Sequence, residues 1–251
     1  MSAAYDYYDY PSYWRDRKYE HISETLAIKS FLANIPKIRT ILDIGAGFGR
    51  LTPSYLFRGS KVILADPSAR LLKIARQNIK VKKVKFIQSK LENIPKKIHK
   101  GSIDLIILVR VLHHLDNIDN SLRDINNLLG SHGYLIIEFA NKRHFKAVLN
   151  EFLKGNFTFS MNILPKDIRS KKNINKKTLP FVNYHPDDII EKLKENGFEI
   201  LEKRSVSNLR SSFLKGVLPF ETLGKFEESL QVPLSYINFG PSIFILAKKI
   251  G

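Results

Sequence analysis

Two rhythms of apolar residues take turns along the chain. Short apolar runs mark strands at residues 40–44, 61–65, 84–88, 103–109 and 133–139, with two more at 198–205 and 242–247. The stretch 105–109 is apolar throughout, as expected of a strand buried on both faces. Between the early strands the spacing becomes helical. Leu71, Leu72, Ala75 and Ile79 share one face of residues 69–79; Leu122, Ile125, Leu128 and Leu129 share one face of residues 120–129. This alternation predicts an α/β fold, a parallel sheet with helices on both faces.

The flanking segments read differently. Residues 19–32 form an amphipathic helix, with Ile22, Leu26, Lys29 and Leu32 at helical spacing. The first eighteen residues are rich in Tyr and Asp, as in a loose arm or a cover. An insert of about forty residues separates the fifth strand from Pro186; its first part (145–152) has helical spacing. Its polar, Lys/Asn-rich later part (165–179) has none and predicts a mobile lid. A helix over 186–196 starts with Pro186, Asp187 and Asp188 and stops before Gly197. Residues 208–238 form a second insert.

Composition narrows the picture. The 251 residues suit one domain able to bury a sizeable core, and 43% hydrophobic content excludes wholesale disorder. No apolar run approaches the roughly 20 residues needed to span a bilayer, and MSAAYDYYDYPSYW has no signal-peptide pattern. The expectation is a soluble, cytoplasmic protein with no membrane span. With no cysteine, disulfides, thiolate metal sites and a Cys nucleophile are excluded. The net charge of +17 attracts phosphate-rich partners. It also fits a compositional background, because the 41 basic residues include 28 lysines. The basic clusters at 80–85, 96–100 and 166–177 lack interleaved aromatics and read first as solvated charge, with an anionic acceptor as the lesser option.

The sharpest motif is ILDIGAGFGR, residues 41–50: a strand ending near Asp43, then Gly45, Ala46, Gly47, Phe48 and Gly49, then a helix. Glycines permit a sharp turn and close approach to a ligand. The spacing G-x-G-x-G is not the dinucleotide G-x-G-x-x-G, and no G-x-x-x-x-G-K-[ST] loop occurs, which favours a nucleoside ligand without a pyrophosphate. Asp66 ends the second strand about twenty residues on, placed to accept hydrogen bonds from both ribose hydroxyls. Alone, Asp66 would also read as a helix cap, as would Ser68.

These residues resemble the class I S-adenosylmethionine-dependent methyltransferases, in the branch acting on small molecules. The resemblance covers 40–139 and the final strands. It implies a Rossmann-like, doubly wound, mostly parallel seven-stranded sheet with helices on both faces. The chain then divides into an N-terminal helical cover (1–35), a cofactor-binding core (36–141), an insert or lid (142–185) and a C-terminal part (186–251) with its own insert at 208–238. S-adenosyl-L-methionine is the implied cofactor. Asp43, Gly45, Ala46, Gly47 and Gly49 would form the loop at its methionine part, and Asp66 with Pro67 would hold the ribose. The family's third-strand motif carries an Asp for the adenine amino group; here that position is Lys90, which has donors only. The backbone at Leu91 and Glu92 is left to edge the ring. The fourth-strand motif IDLIILVRVLHHL, including Val109 and Arg110, would face the transferred methyl group. The Asn/Asp-Pro-Pro-Tyr/Phe tetrapeptide of amino-methylating branches is absent there. The leading segment YWRDRKYE would fold over the cofactor, with Arg17 on the methionine carboxylate and Tyr19 lining the site; a helix merely packed on the sheet edge reads equally well.

Methyl transfer needs alignment of the acceptor and, for some acceptors, a base. His113 is the candidate base; a plain loop histidine is the rival reading. His113 and His114 are expected to point their rings apart, and no metal site is expected. Tyr184 and His185 are either a pocket wall or a helix cap. The expected function is methyl transfer to a small-molecule acceptor. The alternatives are a methyltransferase acting on RNA or the ribosome, less favoured, and a non-catalytic methyltransferase-like scaffold, which Lys90 motivates. Oligomeric state is not legible.

Overall fold

The computed structural model describes residues 6, 9–169 and 181–251. Strands β1 (Thr40–Ile44), β2 (Lys61–Asp66), β3 (Val84–Gln88), β4 (Ile103–Leu108), β5 (Leu129–Ala140), β8 (Phe198–Val206) and β9 (Ser242–Lys249) form one sheet, in the order β3-β2-β1-β4-β5-β9-β8. The first five run parallel; β9 lies antiparallel between β5 and β8. The strand order reverses between β1 and β4, and crevices at the carboxyl ends of such neighbours hold ligands in open α/β sheets. A short hairpin pairs β6 (Lys166–Asp167) with β7 (Val182–Asn183). It gives the start of the expected lid an ordered anchor; the rest of that expectation, from 170 on, lies outside the described residues.

The alternation along β4 shows why the sheet is covered on both faces. Ile106 and Leu108 join one core with Leu122, Ile125 and Leu128 of α5 (Ile118–Leu128). Leu105 and Ile107 join a second core with Ala27, Ile28, Phe31 and Leu32 of α2 (Lys18–Ala33). On the same side as α5, α7 (Pro186–Glu195) contributes Ile189 and Leu193. Helix α4 (Ala69–Asn78) packs beside β2 and β3, capped by the Ser68 hydroxyl, which accepts from Leu71 N at 3.1 Å. α1 (Tyr10–Tyr13) and α3 (Thr52–Tyr55) are single turns flanking the glycine loop.

Strand and helix positions in the core follow the expected segments within a few residues. β5 is longer than expected because Leu129 already pairs with Ile103, after which 130–133 bulge out before Tyr134 meets Leu105. The second insert is helical, with α8 (Ser212–Val217) and α9 (Phe220–Gln231). α9 lies against α2 and buries Leu223, Gly224, Glu227 and Gln231. Only one of those four is a large apolar residue; the apolar positions Phe220 and Phe226 of the same helix are exposed. A 3-10 turn, Leu91–Lys96, follows β3, and another, Leu112–His114, follows β4.

Phe244 is fully buried in β9, whose neighbours are β5 and β8. Phe244→Ala is expected to destabilise the fold by about 3–5 kcal/mol, read as a lowered midpoint in chemical denaturation.

Candidate active site

The glycine loop follows β1 at the carboxyl edge of the sheet. Gly45, Gly47 and Gly49 have φ of 75°, 57° and 79°, a region that L side chains rarely occupy. Two of them are also closely packed. A Cβ on Gly45 would meet Val111 Cγ2 at 2.2 Å, and one on Gly49 would meet Ile79 Cδ1 at 2.4 Å. Gly47 is different: its nearest neighbours would be Leu71 Cδ1 at 3.8 Å and Tyr10 Cε1 at 3.9 Å, so no tight packing explains it. The N–H groups of Gly45 and Ala46 both reach Ala65 O, tying the loop to the end of β2.

Asp66 joins this loop. Its buried carboxylate accepts from Gly47 N and Ser68 N, both at 2.8 Å, one on each oxygen. Each oxygen keeps a second lone pair, as a ligand diol requires. Because Ser68 caps α4, Asp66 is not needed as its cap. Burial raises the Asp66 carboxyl to about 6; the two backbone bonds oppose that, and the nearby Asp6 adds to it. Asp43 lies below the loop, buried and bonded to the Tyr55 hydroxyl, and burial raises it to about 7. Pro67 O accepts from Gln88 Nε2, which fixes the turn beside Asp66. Leu91 is buried at the start of its 3-10 turn, whereas the side chains of Lys90 and Glu92 are exposed.

Beside the loop stands a charged knot. Glu24 of α2 is buried and bonds Arg50 Nη2 at 2.5 Å, Arg110 Nη2 at 2.6 Å and Arg110 Nε at 2.8 Å. Burial alone would raise the Glu24 pKa, but the two guanidiniums outweigh it and hold the carboxyl below its ordinary value. The Trp14 ring lies against both cations, 3.4 Å from the Arg50 guanidinium carbon and 4.7 Å from that of Arg110. Tyr10 packs edge-on against Phe48 and Trp14. Asp6 bonds the Ser68 hydroxyl. The N-terminal segment thus covers the glycine loop.

A chamber of about 730 Å³ opens beyond the carboxyl ends of β4 and β5. Arg17, Arg110 and His113 line it, as do Glu138, Asn183 and Ser242. Glu138 is buried and accepts from Arg110 N and the Ser242 hydroxyl, both at 2.7 Å. Burial raises its pKa, against the pull of Arg110. Asn183 is also buried, and its Oδ1 has no hydrogen-bond partner among the described residues. Phe145 and Phe239, stacked 5.1 Å apart, form an aromatic wall together with Phe181.

The comparisons with known proteins match this arrangement. The profile of the family described as "Methyltransferase domain" matches residues 42–137. A ubiquinone biosynthesis O-methyltransferase of Pelagibacter ubique is 25% identical over 208 residues, 78% of this chain and 82% of that protein. The tRNA 5-carboxymethoxyuridine methyltransferase of Escherichia coli K12 is 27% identical over 222 residues, 85% and 81% of the two chains. The solved 1,6-didemethyltoxoflavin-N1-methyltransferase of Burkholderia thailandensis, with S-adenosylhomocysteine bound, superposes with a TM-score of 0.61 at 16% identity, covering 98% of this chain and 84% of that one. Over residues 42–137 the chain carries the methyltransferase domain of the class I S-adenosylmethionine-dependent enzymes.

S-adenosylmethionine is the family's methyl donor, and the residues present fit it. Gly47 is a positive-φ glycine without tight packing, and Asp66 is a fixed carboxylate one hydrogen bond away from it, with the lone pairs that a ribose diol would need. For this methyltransferase the candidate residues separate into groups. Gly45, Ala46, Gly47, Gly49, Asp66 and Pro67 gather at one edge. Val109 is buried in the core shared with α2, directly before Arg110, whose φ of 60° turns the chain out of β4. Arg17 reaches the chamber with its guanidinium over the Tyr13 ring at 4.0 Å.

Other expectations are corrected by the geometry. Tyr19 is buried away from the loop: its hydroxyl donates to Glu227 Oε2 of α9 at 2.5 Å and accepts from Leu209 N, so it braces the second insert. The rings of His113 and His114 do not point apart; their centroids lie 3.9 Å from each other. Burial, with His114 and Arg110 nearby, depresses His113 to about 3, so the ring is neutral across the working pH range and a weak base. His185 caps α7 through Asp187 N, and Tyr184 donates to Leu112 O; neither lines the chamber, whereas their neighbour Asn183 does. Glu138 was missed. Its signal is an acid inside the otherwise apolar run YLIIEFA.

Ribose hydroxyls donate to a carboxylate, so the donor favours ionised Asp66. Affinity for S-adenosylhomocysteine is therefore expected to be flat above pH 7 and to fall as pH drops through about 6. Asp66→Asn is expected to weaken binding at high pH and to remove that dependence, both measured by calorimetric titration. Glu24→Gln leaves two guanidiniums without their carboxylate and is expected to cost about 3 kcal/mol in urea denaturation.

Proposed function

We infer that this methyltransferase acts on a small-molecule acceptor held in the chamber, and that Glu138 takes the acceptor proton. The observation carrying this reading is the buried Glu138 carboxylate lining an open chamber with aromatic walls and accepting a hydrogen bond from Arg110 N at 2.7 Å. The donor supplies an electrophilic methyl group on a sulfonium. Everything else falls to the chain. Phe145, Phe181 and Phe239 bury a flat or apolar acceptor body and exclude water. Asn183 offers an amide that seeks a partner. An acceptor hydroxyl or N–H hydrogen-bonds to Glu138, whose pKa burial raises, which makes it a stronger base than an exposed carboxylate. Arg110 N and Ser242 hold the carboxylate in place through both oxygens. Neutral His113 lines the same wall and shapes the pocket without carrying charge.

An RNA acceptor is the second reading, favoured by the charge of +17 and by the name of the Escherichia coli relative. Methyl-labelled donor incubated with cell extract separates the two. The label is expected in the low-mass fraction and to survive ribonuclease. Label found only in RNA overturns the small-molecule reading. With an acceptor in hand, Glu138→Gln is expected to lower kcat by about 10²–10⁴-fold while affinity for S-adenosylhomocysteine stays within about twofold. Unchanged turnover in that variant removes Glu138 from the role of base.

A further inference from the structure

Helix α6 (Phe145–Leu153) is built the wrong way round for a globular protein. None of its residues is buried. Its large apolar side chains Phe145, Leu149, Phe152 and Leu153 lie at i, i+4, i+7 and i+8, so they share one face, and all four are exposed. An amphipathic helix ordinarily turns that face to the core. The loop that follows continues the pattern. Phe157 packs edge-on against Phe152, and Met161, Ile163 and Leu164 also stand in solvent. With Ile168, nine of the eighteen exposed large apolar side chains of the described residues fall within 145–168. Such concentration on a soluble surface marks an interaction site.

This surface is held in place. Phe159 is the one large side chain of the loop that turns inward, with the Lys142 and Lys166 ammonium groups 5.5 and 4.9 Å from its ring. Buried Lys142 reaches through the loop and donates to Asn162 O and Leu164 O, both at 2.6 Å, and to Asn162 Oδ1. That staple leaves Ile163 and Leu164 outside. Around the apolar face, residues 143–169 carry five further basic residues, Arg143, Lys146, Lys154, Lys166 and Arg169, against two acidic ones, Glu151 and Asp167, which pair with three of them.

We propose that the 142–169 insert docks this enzyme on an anionic lipid surface, with the apolar face of α6 and its loop entering the headgroup layer and the surrounding lysines and arginines meeting lipid phosphates. Charge complementarity decides the occupant. Apolar residues with a basic surround are the chemistry of an interfacial helix. A second copy would bring the same cationic excess against itself, in a chain already at +17. Because Phe145 and Ile168 belong both to this face and to the lining of the chamber, docking turns the chamber mouth toward the bilayer. An acceptor that partitions into lipid would then enter without crossing water. That corollary rests on the acceptor chamber; the docking itself does not.

The test is flotation of the full chain with vesicles of phosphatidylcholine alone or with about 30 mol% phosphatidylglycerol. Binding is expected on the mixed vesicles, at least about tenfold weaker on the neutral ones and at about 0.5 M salt. Leu149→Ser/Leu153→Ser/Met161→Ser is expected to lose about tenfold or more while binding S-adenosylhomocysteine like the parent. No binding to anionic vesicles overturns the proposal. Binding undiminished in that variant overturns it too, since charge alone would then explain adhesion. So does a parent dimer that the variant converts to monomer with no vesicle binding. Should the triple variant fold poorly, the absence of cysteine allows a single label. An environment-sensitive dye on Met161→Cys is expected to shift to the blue on anionic vesicles, and the same dye on Phe57→Cys is not. Equal shifts at both positions would show non-specific adsorption and sink the idea.

Discussion

Glu24 accepts from two arginines that the chain delivers from different places: Arg50 directly after the glycine loop, and Arg110 two residues after β4. A carboxylate this buried is costly unless paired, and the cost is met only when both guanidiniums arrive together. The knot therefore fixes α2, the loop and the end of β4 in one register. Trp14 closes it by lying against both cations, which brings the N-terminal segment over the loop. Arg110 then passes the constraint on. Its backbone N–H holds Glu138, and Glu138 holds Ser242. A single line of charge and hydrogen bonds runs from the cofactor edge to the floor of the chamber.

The two halves of the site are stabilised by different physics. The cofactor edge is backbone geometry: three residues at positive φ, two packed tightly against Val111 and Ile79, and a carboxylate pinned by two N–H groups. Little there can vary without strain. The chamber takes its floor from the sheet, with Glu138 of β5 and Ser242 of β9, and its walls from connecting segments, with Phe145 from one insert, Leu209 from the other, Phe239 just after it and Asn183 from the short hairpin. If the chamber holds the acceptor, as proposed, its choice lies largely with the walls that the sheet does not dictate. The two titrating acids nearest the loop, Asp43 and Asp66, are raised by burial and separated in role: one braces Tyr55, the other faces the ligand edge.

What could be read in the sequence was what local rules govern. Positive φ demands glycine, so the loop was visible; an apolar run buried on both faces marks β4 without any partner in view. Ser68 and Asp66 were both plausible caps, and only the Leu71 N–H bond to Ser68 shows which is which. The misses share a cause: each depends on a distant contact. Tyr19 looked free to line the cleft because Glu227, which claims its hydroxyl, lies 208 positions away. The ionisation of His113 is set by packing with Phe181 and His114, whose rings lie 4.7 and 3.9 Å away. Helix α9 buries Gly224, Glu227 and Gln231, so its inner face carries hydrogen bonds where an apolar stripe would ordinarily stand.

The position of β9 has a consequence for assembly. Strands β1 to β4 need nothing beyond Leu108 to pair with one another, and their contacts are local enough to form early in synthesis. β8, by contrast, reaches the sheet only through β9, which must slide between it and β5. Ser242, at the head of β9, is also what fixes the second oxygen of Glu138. A nascent chain therefore acquires the pairing beneath its glycine loop well before it completes the chamber. Until β9 is made, β5 keeps an open edge for a folding factor to shield.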